Sequence, residues 1–155
     1  MTQKVTLSIP QWHAMALDGS KVPMRILIHG GSMYPLIRMD RDYVTIMPLE
    51  EEIRVGDIVL ICHPEADRYV LHRVWQKENG RALTWGDNCP CADGWQPLDS
   101  IWGKATLVER GKRTIHPDRK KGMRLARFWH AAGHAYRFGK RIFYGVKRRI
   151  DRLRK

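Results

Sequence analysis

Acyl transfer to a hydroxyl needs three kinds of residue. A serine hydroxyl is a weak nucleophile and requires a neighbouring base; a histidine base requires an acceptor that fixes its tautomer. This 155-residue chain carries such residues in three separate segments. Ser32 lies in Gly30-Gly31-Ser32-Met33-Tyr34-Pro35, His72 lies in Tyr69-Val70-Leu71-His72-Arg73-Val74-Trp75, and Asp87 and Asp93 lie in a loop running from Gly86 to Gly94. Each also has a plainer reading. Gly-Gly-Ser is commonly a turn. A histidine sharing a strand face with Val70 and Val74 is commonly structural. Aspartates among Gly, Asn and Pro commonly serve turn geometry. Composition alone does not bring the three together. Cys89-Pro90-Cys91 suggests a ligand pair for a metal, but no second pair stands at zinc-site spacing.

The elements that must position these residues read as short strands. Arg25-Ile26-Leu27-Ile28, Tyr43–Met47, Asp57–Cys62, Tyr69–Trp75, Ala82–Trp85 and Ile101–Val108 are apolar or β-branched runs bounded by Gly, Pro and Asp. Val5, Leu7 and Ile9 alternate with polar residues and read as a further strand. The expectation is a mainly β, antiparallel body without helical periodicity between about residues 22 and 110. Residues 111–118 read as a linker. Beyond them Leu125, Trp129, Ala132, Tyr136, Gly139, Phe143, Val146, Ile150 and Leu153 recur at helical spacing, with basic residues on the other faces.

Charge separates the same two regions. The net charge is +12; residues 1–118 hold 14 basic and 15 acidic side chains, whereas residues 119–155 hold 14 basic ones and the single acid Asp151. A uniformly basic protein is excluded. The longest stretch without Asp, Glu, Lys or Arg is Val5–Leu17, 13 residues including Pro10, and a spanning helix needs about 20. No secretory signal is visible in the first apolar run. The three cysteines, Cys62, Cys89 and Cys91, are an odd number and read as reduced thiols of a cytoplasmic protein.

Taken in order, Gly31-Ser32-Met33-Tyr34-Pro35, Val55-Gly56-Asp57-Ile58-Val59, Tyr69–Val74, Gly86-Asp87-Asn88 with Asp93, and Ile101-Trp102-Gly103-Lys104 resemble the type I signal peptidase superfamily, which includes the LexA-like self-cleaving domains. The resemblance covers about residues 22–110. It implies a coiled antiparallel β fold, a serine endopeptidase activity and no cofactor. It also implies that Ser32 is the nucleophile, flanked by Gly31, Met33 and Pro35 as substrate- or oxyanion-binding positions. Signal peptidases of bacteria and LexA-like domains place a lysine base where this chain has His72, so the chain looks like the histidine branch of endoplasmic-reticulum and archaeal type. In that branch the acid partner carries over to Asp93, with Asp87 as a supporting carboxylate. Two departures stand out. A serine found in many signal peptidases two positions before the nucleophile is Gly30 here, and the N-terminal membrane anchor is missing.

The expected organisation is therefore an N-terminal extension (1–21), a peptidase domain (22–110), a linker (111–118) and a basic amphipathic helical tail (119–155). The expected substrate is an extended peptide or precursor protein. The tail's apolar stripe favours an anionic membrane surface, with peripheral attachment, or a partner helix; nucleic acid is the weaker candidate. A non-catalytic or self-cleaving regulatory module on the same fold is the rival from another class. Because the near-neutral body contains the whole motif set, truncation near Asp118 should leave it folded with an intact site.

Overall fold

Ile58-Val59-Leu60-Ile61-Cys62 is apolar without a break, the pattern of a strand covered on both faces. In the computed structural model, which describes residues 7–66 and 68–133, all five are buried. They form β3 (Ile58–His63). Its alternation divides the interior: Ile58 and Leu60 join Trp12, Met33, Ile37, Val44 and Ile46 in one cluster, and Val59 and Ile61 join Ile53, Val74, Ala82 and Ile101 in another.

Around β3 lie β1 (Met24–Leu27), β2 (Tyr43–Pro48), β4 (Arg68–Glu78), β5 (Arg81–Trp85), β6 (Gly94–Pro97), β7 (Ile101–Arg110) and β8 (Arg113–Ile115). They form one eight-stranded sheet in the order β1-β2-β7-β3-β4-β5-β6, with β8 paired to β7. Every pairing is antiparallel, so the mainly β expectation holds. The hairpin between β4 and β5 turns at Asn79-Gly80, both with positive φ (49° and 70°), as the tightest two-residue connections require. Register shifts between Thr45 and Ile46, Leu60 and Ile61, and Val74 and Gln76 break the regular pairing. Such irregularities bend and twist strands.

Three expectations are corrected. The alternation at Val5, Leu7 and Ile9 does not continue as a strand: Ile9 opens helix α1 (Ile9–Leu17), and residues 1–6 lie outside the described residues. Ser8 and Gln11 form a reciprocal capping box and Pro10 sits in the first turn, signals that outweigh three alternating residues. This helix is no mere extension, because Trp12 is 2% exposed in the main cluster and donates its Nε1–H to the Val22 carbonyl at 2.8 Å. The segment read as a linker supplies β8, whose Thr114 lies opposite Glu109.

The third correction concerns the tail. Asp118 caps a helix, α2, that runs over residues 119–133: its carboxylate accepts the Lys121 N–H at 2.7 Å. This helix is docked on the body. Met123, Ala126 and His130 are buried, at helical spacing, and the His130 ring packs on Trp85 and Trp75 with centroids 4.1 and 5.1 Å apart. The buried stripe is thus a different face from the Leu125, Trp129 and Ala132 stripe read from the sequence for a membrane or a partner. Leu125 is 38% exposed and Ala132 is exposed, while Tyr136, Gly139, Phe143, Val146, Ile150 and Leu153 lie outside the described residues. No described helix is long and apolar enough to cross a membrane.

Candidate active site

Adjacent side chains on a strand point to opposite faces, so His72 and Arg73 of β4 face different surroundings. The β4–β5–β6 meander brings a separate carboxylate to each. Thr84 on β5 is fully buried opposite Gly94, and the Asp93 backbone N–H donates to the Thr84 carbonyl at 2.9 Å. That bond places the Asp93 carboxylate under His72: Oδ2 lies 2.5 Å from His72 Nδ1 and accepts the Thr84 hydroxyl at 2.9 Å. Both partners are sheltered, with side chains 7% and 20% exposed. A carboxylate only accepts, so Nδ1 donates to it, and Nε2 is the ring nitrogen turned away from Asp93.

Ser32 reaches this cleft from a long loop between β1 and β2. The loop is closed at its base, where the Asp40 N–H donates to the Ile28 carbonyl (2.7 Å) and the Ile28 N–H to that of Asp42 (3.2 Å). Arg110 ties β7 to the same base, donating to Asp42 Oδ2 at 2.6 Å and to the Leu36 carbonyl at 2.9 Å. Burial by itself would raise the Asp42 pKa. Hydrogen bonds from the Arg110 guanidinium and the Arg38 backbone outweigh it and hold the carboxyl below its ordinary range. Met33 (1% exposed) and Ile37 (0%) anchor the loop in the core, which leaves Ser32 half-buried at the surface of the cleft. The cleft has a volume of 790 Å³ and is lined by Ser32, His72, Asp93 and Cys89 together with apolar side chains including Ile26, Ile28 and Leu71. The backbone N–H groups of Ser32 and Met33 have no acceptor among the described residues.

A single turn joins the two halves. Gly86 to Cys89 closes with the Cys89 N–H on the Gly86 carbonyl at 2.9 Å, and each of its four residues makes a different contact. At Gly86 the backbone lies close to both Ser32 and His72: a Cβ there would stand 2.7 Å from Cys89 Sγ, 2.8 Å from His72 Nε2 and 2.9 Å from the Ser32 carbonyl oxygen, so only glycine fits. Asp87 turns inward to Arg73. Asn88 donates its backbone N–H to the Ser32 carbonyl (2.6 Å) and its side-chain amide to that of Gly31 (3.1 Å). Cys89 brings Sγ to 4.0 Å from His72 Nε2. Burial, followed by the charge of Asp93, pushes the Cys89 thiol up.

Of the residues expected to act, Ser32, His72 and Asp93 line one cleft, and Gly31 is tied beside Ser32 by Asn88. Asp87 is close in sequence but directed elsewhere. Both its oxygens face Arg73, whose Nη1 also donates to the Gly56 carbonyl at 2.9 Å, so the carboxylate expected to support His72 is spent on the neighbouring arginine instead. Met33 packs its side chain in the core and also lines the cleft. Pro35 is half-buried beyond Tyr34 in the same loop. Sequence reasoning missed Thr84, Asn88, Cys89 and Arg73 as parts of the site. Arg73 had a visible signal, since a charge in the interior of an apolar strand needs a buried partner. No family model matches the chain, and no curated protein matches it.

Proposed function

We propose that the chain is a serine endopeptidase of the signal-peptidase-like, histidine-base type. The observation that carries this reading is the 2.5 Å contact between His72 Nδ1 and Asp93 Oδ2 beside a cleft that Ser32 also lines. In this reading Ser32 Oγ attacks the substrate carbonyl and passes its proton to His72 Nε2. His72 then gives that proton to the departing amine, and water repeats the sequence on the acyl-enzyme. Asp93 holds the imidazole, and the Ser32 and Met33 N–H groups take the oxyanion. The substrate is an extended peptide. β1 is the sheet's edge strand and Ile26, Leu27 and Ile28 line the cleft, which suits a peptide pairing through its main chain with small apolar side chains turned inward.

The C-terminal segment, in the same reading, holds the enzyme against an anionic membrane surface. Phe128 is 67% exposed and Leu125 38%, alongside Arg124 and Arg127, the mixture of greasy and cationic side chains that interfacial helices present.

The test is incubation of candidate precursor peptides with wild type, Ser32→Ala and His72→Ala, followed by mass spectrometry of the products. Cleavage at one bond by wild type and by neither variant is the expected result; cleavage that survives Ser32→Ala would remove the assignment.

A further inference from the structure

The helix α2 and the Ser32 loop belong to opposite ends of the chain, yet one residue touches both. Asn88 accepts the Trp129 Nε1–H on its side-chain oxygen at 3.1 Å and donates its side-chain N–H to the Gly31 carbonyl at 3.1 Å. Its backbone N–H holds the Ser32 carbonyl at 2.6 Å. The Trp129 ring also meets Tyr34, two residues beyond Ser32, in an edge contact with centroids 5.4 Å apart. An asparagine amide can flip, exchanging donor and acceptor ends. The tryptophan N–H, which only donates, fixes the oxygen toward α2 and leaves the NH₂ for Gly31.

We infer that Asn88 is a positioning residue for the nucleophile and that Trp129, through Asn88, makes the C-terminal helix part of the active site. This rests on the peptidase reading for its consequence, but not for its geometry. Two carbonyls in succession, those of Gly31 and Ser32, are clamped by the one residue, which sets the direction of the peptide planes on either side of Ser32. Those planes carry the Ser32 and Met33 N–H groups that would meet an oxyanion. Donor aim at that point governs rate far more than binding. The helix is also the stem of the basic segment, so anything that draws residues 119–133 off the body would release Asn88 and slacken the Ser32 turn.

Four variants separate the contacts. Trp129→Phe keeps the ring against Tyr34 and loses only the N–H. Trp129→Leu loses both. Asn88→Asp still accepts from Trp129 but has no side-chain donor for Gly31, and Asn88→Ala loses both side-chain bonds. Two measurements are made on the full-length protein. Amide hydrogen exchange is followed over residues 28–36 and at Asn88. Inactivation by a fluorophosphonate is resolved into a binding constant KI and a chemical rate constant kinact. The expected result for Trp129→Phe is exchange at Asn88 and around Ser32 accelerated about fivefold, the effect of losing one hydrogen bond, with β3 unchanged. kinact should fall by a similar factor while KI stays constant. Asn88→Ala should exceed it, with Asn88→Asp between them. Exchange around Ser32 that matches wild type in all four variants would overturn the inference. So would accelerated exchange with kinact unaltered, or loss of kinact accompanied by faster exchange in β3, which would mean general destabilisation. If wild type is not labelled at Ser32 but exchange responds as expected, the peptidase reading fails while the clamp stands.

Discussion

Asp87 closes both carboxylate oxygens on the guanidinium of Arg73, at 2.8 and 2.6 Å, with the arginine 0% and the aspartate 1% exposed. The pair lies one residue along β4 from His72, and helix α2 seals it: a Cβ on Gly122 would stand 2.7 Å from Arg73 Nη1. An ion pair so enclosed is a poor source of net stability, but removing one member strands a charge without water. The two aspartates of the loop therefore have separable duties. Asp87 fixes the turn through Arg73, and Asp93 fixes the ring of His72.

Asp87→Ala should destabilise the fold by about 3–5 kcal/mol, the usual consequence of unpairing a buried charge. Asp93→Asn should leave the melting temperature close to wild type while lowering turnover by about 10³–10⁴-fold, because the amide favours the wrong imidazole tautomer. Replacing Arg73 and Asp87 together by Met and Leu should recover much of the stability lost by Asp87→Ala. Chemical denaturation alongside peptide cleavage distinguishes the two effects. Equal melting loss from both aspartate variants would show that Asp93 too is structural.

Among the described residues, Cys89 Sγ stands 4.0 Å from His72 Nε2 and is a rival to the proposed nucleophile Ser32. Burial first, then the neighbouring Asp93 carboxylate, push the Cys89 thiol above its ordinary value, which lowers its thiolate fraction. Iodoacetamide at neutral pH should modify the exposed Cys91 well before Cys89. Cys89→Ala should retain cleavage within about tenfold of wild type, whereas Ser32→Ala should lose it. The opposite ranking would transfer the nucleophile to Cys89.

Truncation has two outcomes according to where it falls. Ending the chain after Asp118 removes the buried Met123, Ala126 and His130, uncovers Trp75 and Trp85 where His130 packed and opens Arg73 where Gly122 covered it, and should lower stability by at least about 3 kcal/mol, on burial of such side chains. Ending it after residue 133 should leave the body's melting temperature unchanged. The longer piece should bind anionic vesicles less well than the full chain, with salt weakening both. Leu125→Ser with Phe128→Ser should weaken full-length binding at constant charge. A stable, fully folded 1–118 fragment would show the α2 contacts to be dispensable.

Acid should act through Asp42. Its folded-state pKa is held below that of a free carboxylate by the Arg110 and Arg38 bonds, although burial opposes them. A carboxyl of that kind stabilises the fold above its unfolded pKa, about 3.9, and the contribution disappears as pH falls through the lower folded value. Asp42→Asn should therefore lose about 2–3 kcal/mol at neutral pH, as expected for hydrogen bonds to a charged group. Its stability should decline less than wild type between about pH 5 and pH 3. Urea denaturation across that range reads both. An unchanged acid slope would place the acid-sensitive group elsewhere.

Much of the sheet is legible in the order of residues, because strand formation answers to local features. Unbroken β-branched runs need cover on both sides, and Gly, Pro and Asn-Gly stop them. The runs at Tyr43, Asp57, Tyr69 and Ile101 accordingly became β2, β3, β4 and β7 with ends shifted by a few residues. The capping box at Ser8 and Gln11 was equally local, and it, rather than the alternation beside it, decided α1.

The division of labour between Asp87 and Asp93 is of another kind. Both lie in one polar loop, and nothing in their neighbours says which reaches His72. The choice depends on Thr84 standing opposite Gly94 in the β5–β6 register, which puts Asp93 one residue before a paired position and under the imidazole. The inward face of α2 was undecidable for the same reason. Leu125, Trp129 and Ala132 satisfy helical spacing as well as Met123, Ala126 and His130 do. Periodicity fixes the angle between side chains but not the rotation of the helix about its axis. That rotation was set by what the helix meets: Arg73 at Gly122, the two tryptophans at His130, and Asn88 at Trp129. Those groups converge only after β4, β5 and the Gly86 turn are in place, and they lie 41 residues (Asn88 to Trp129) or more from their partners on α2, a distance over which local propensity carries no information.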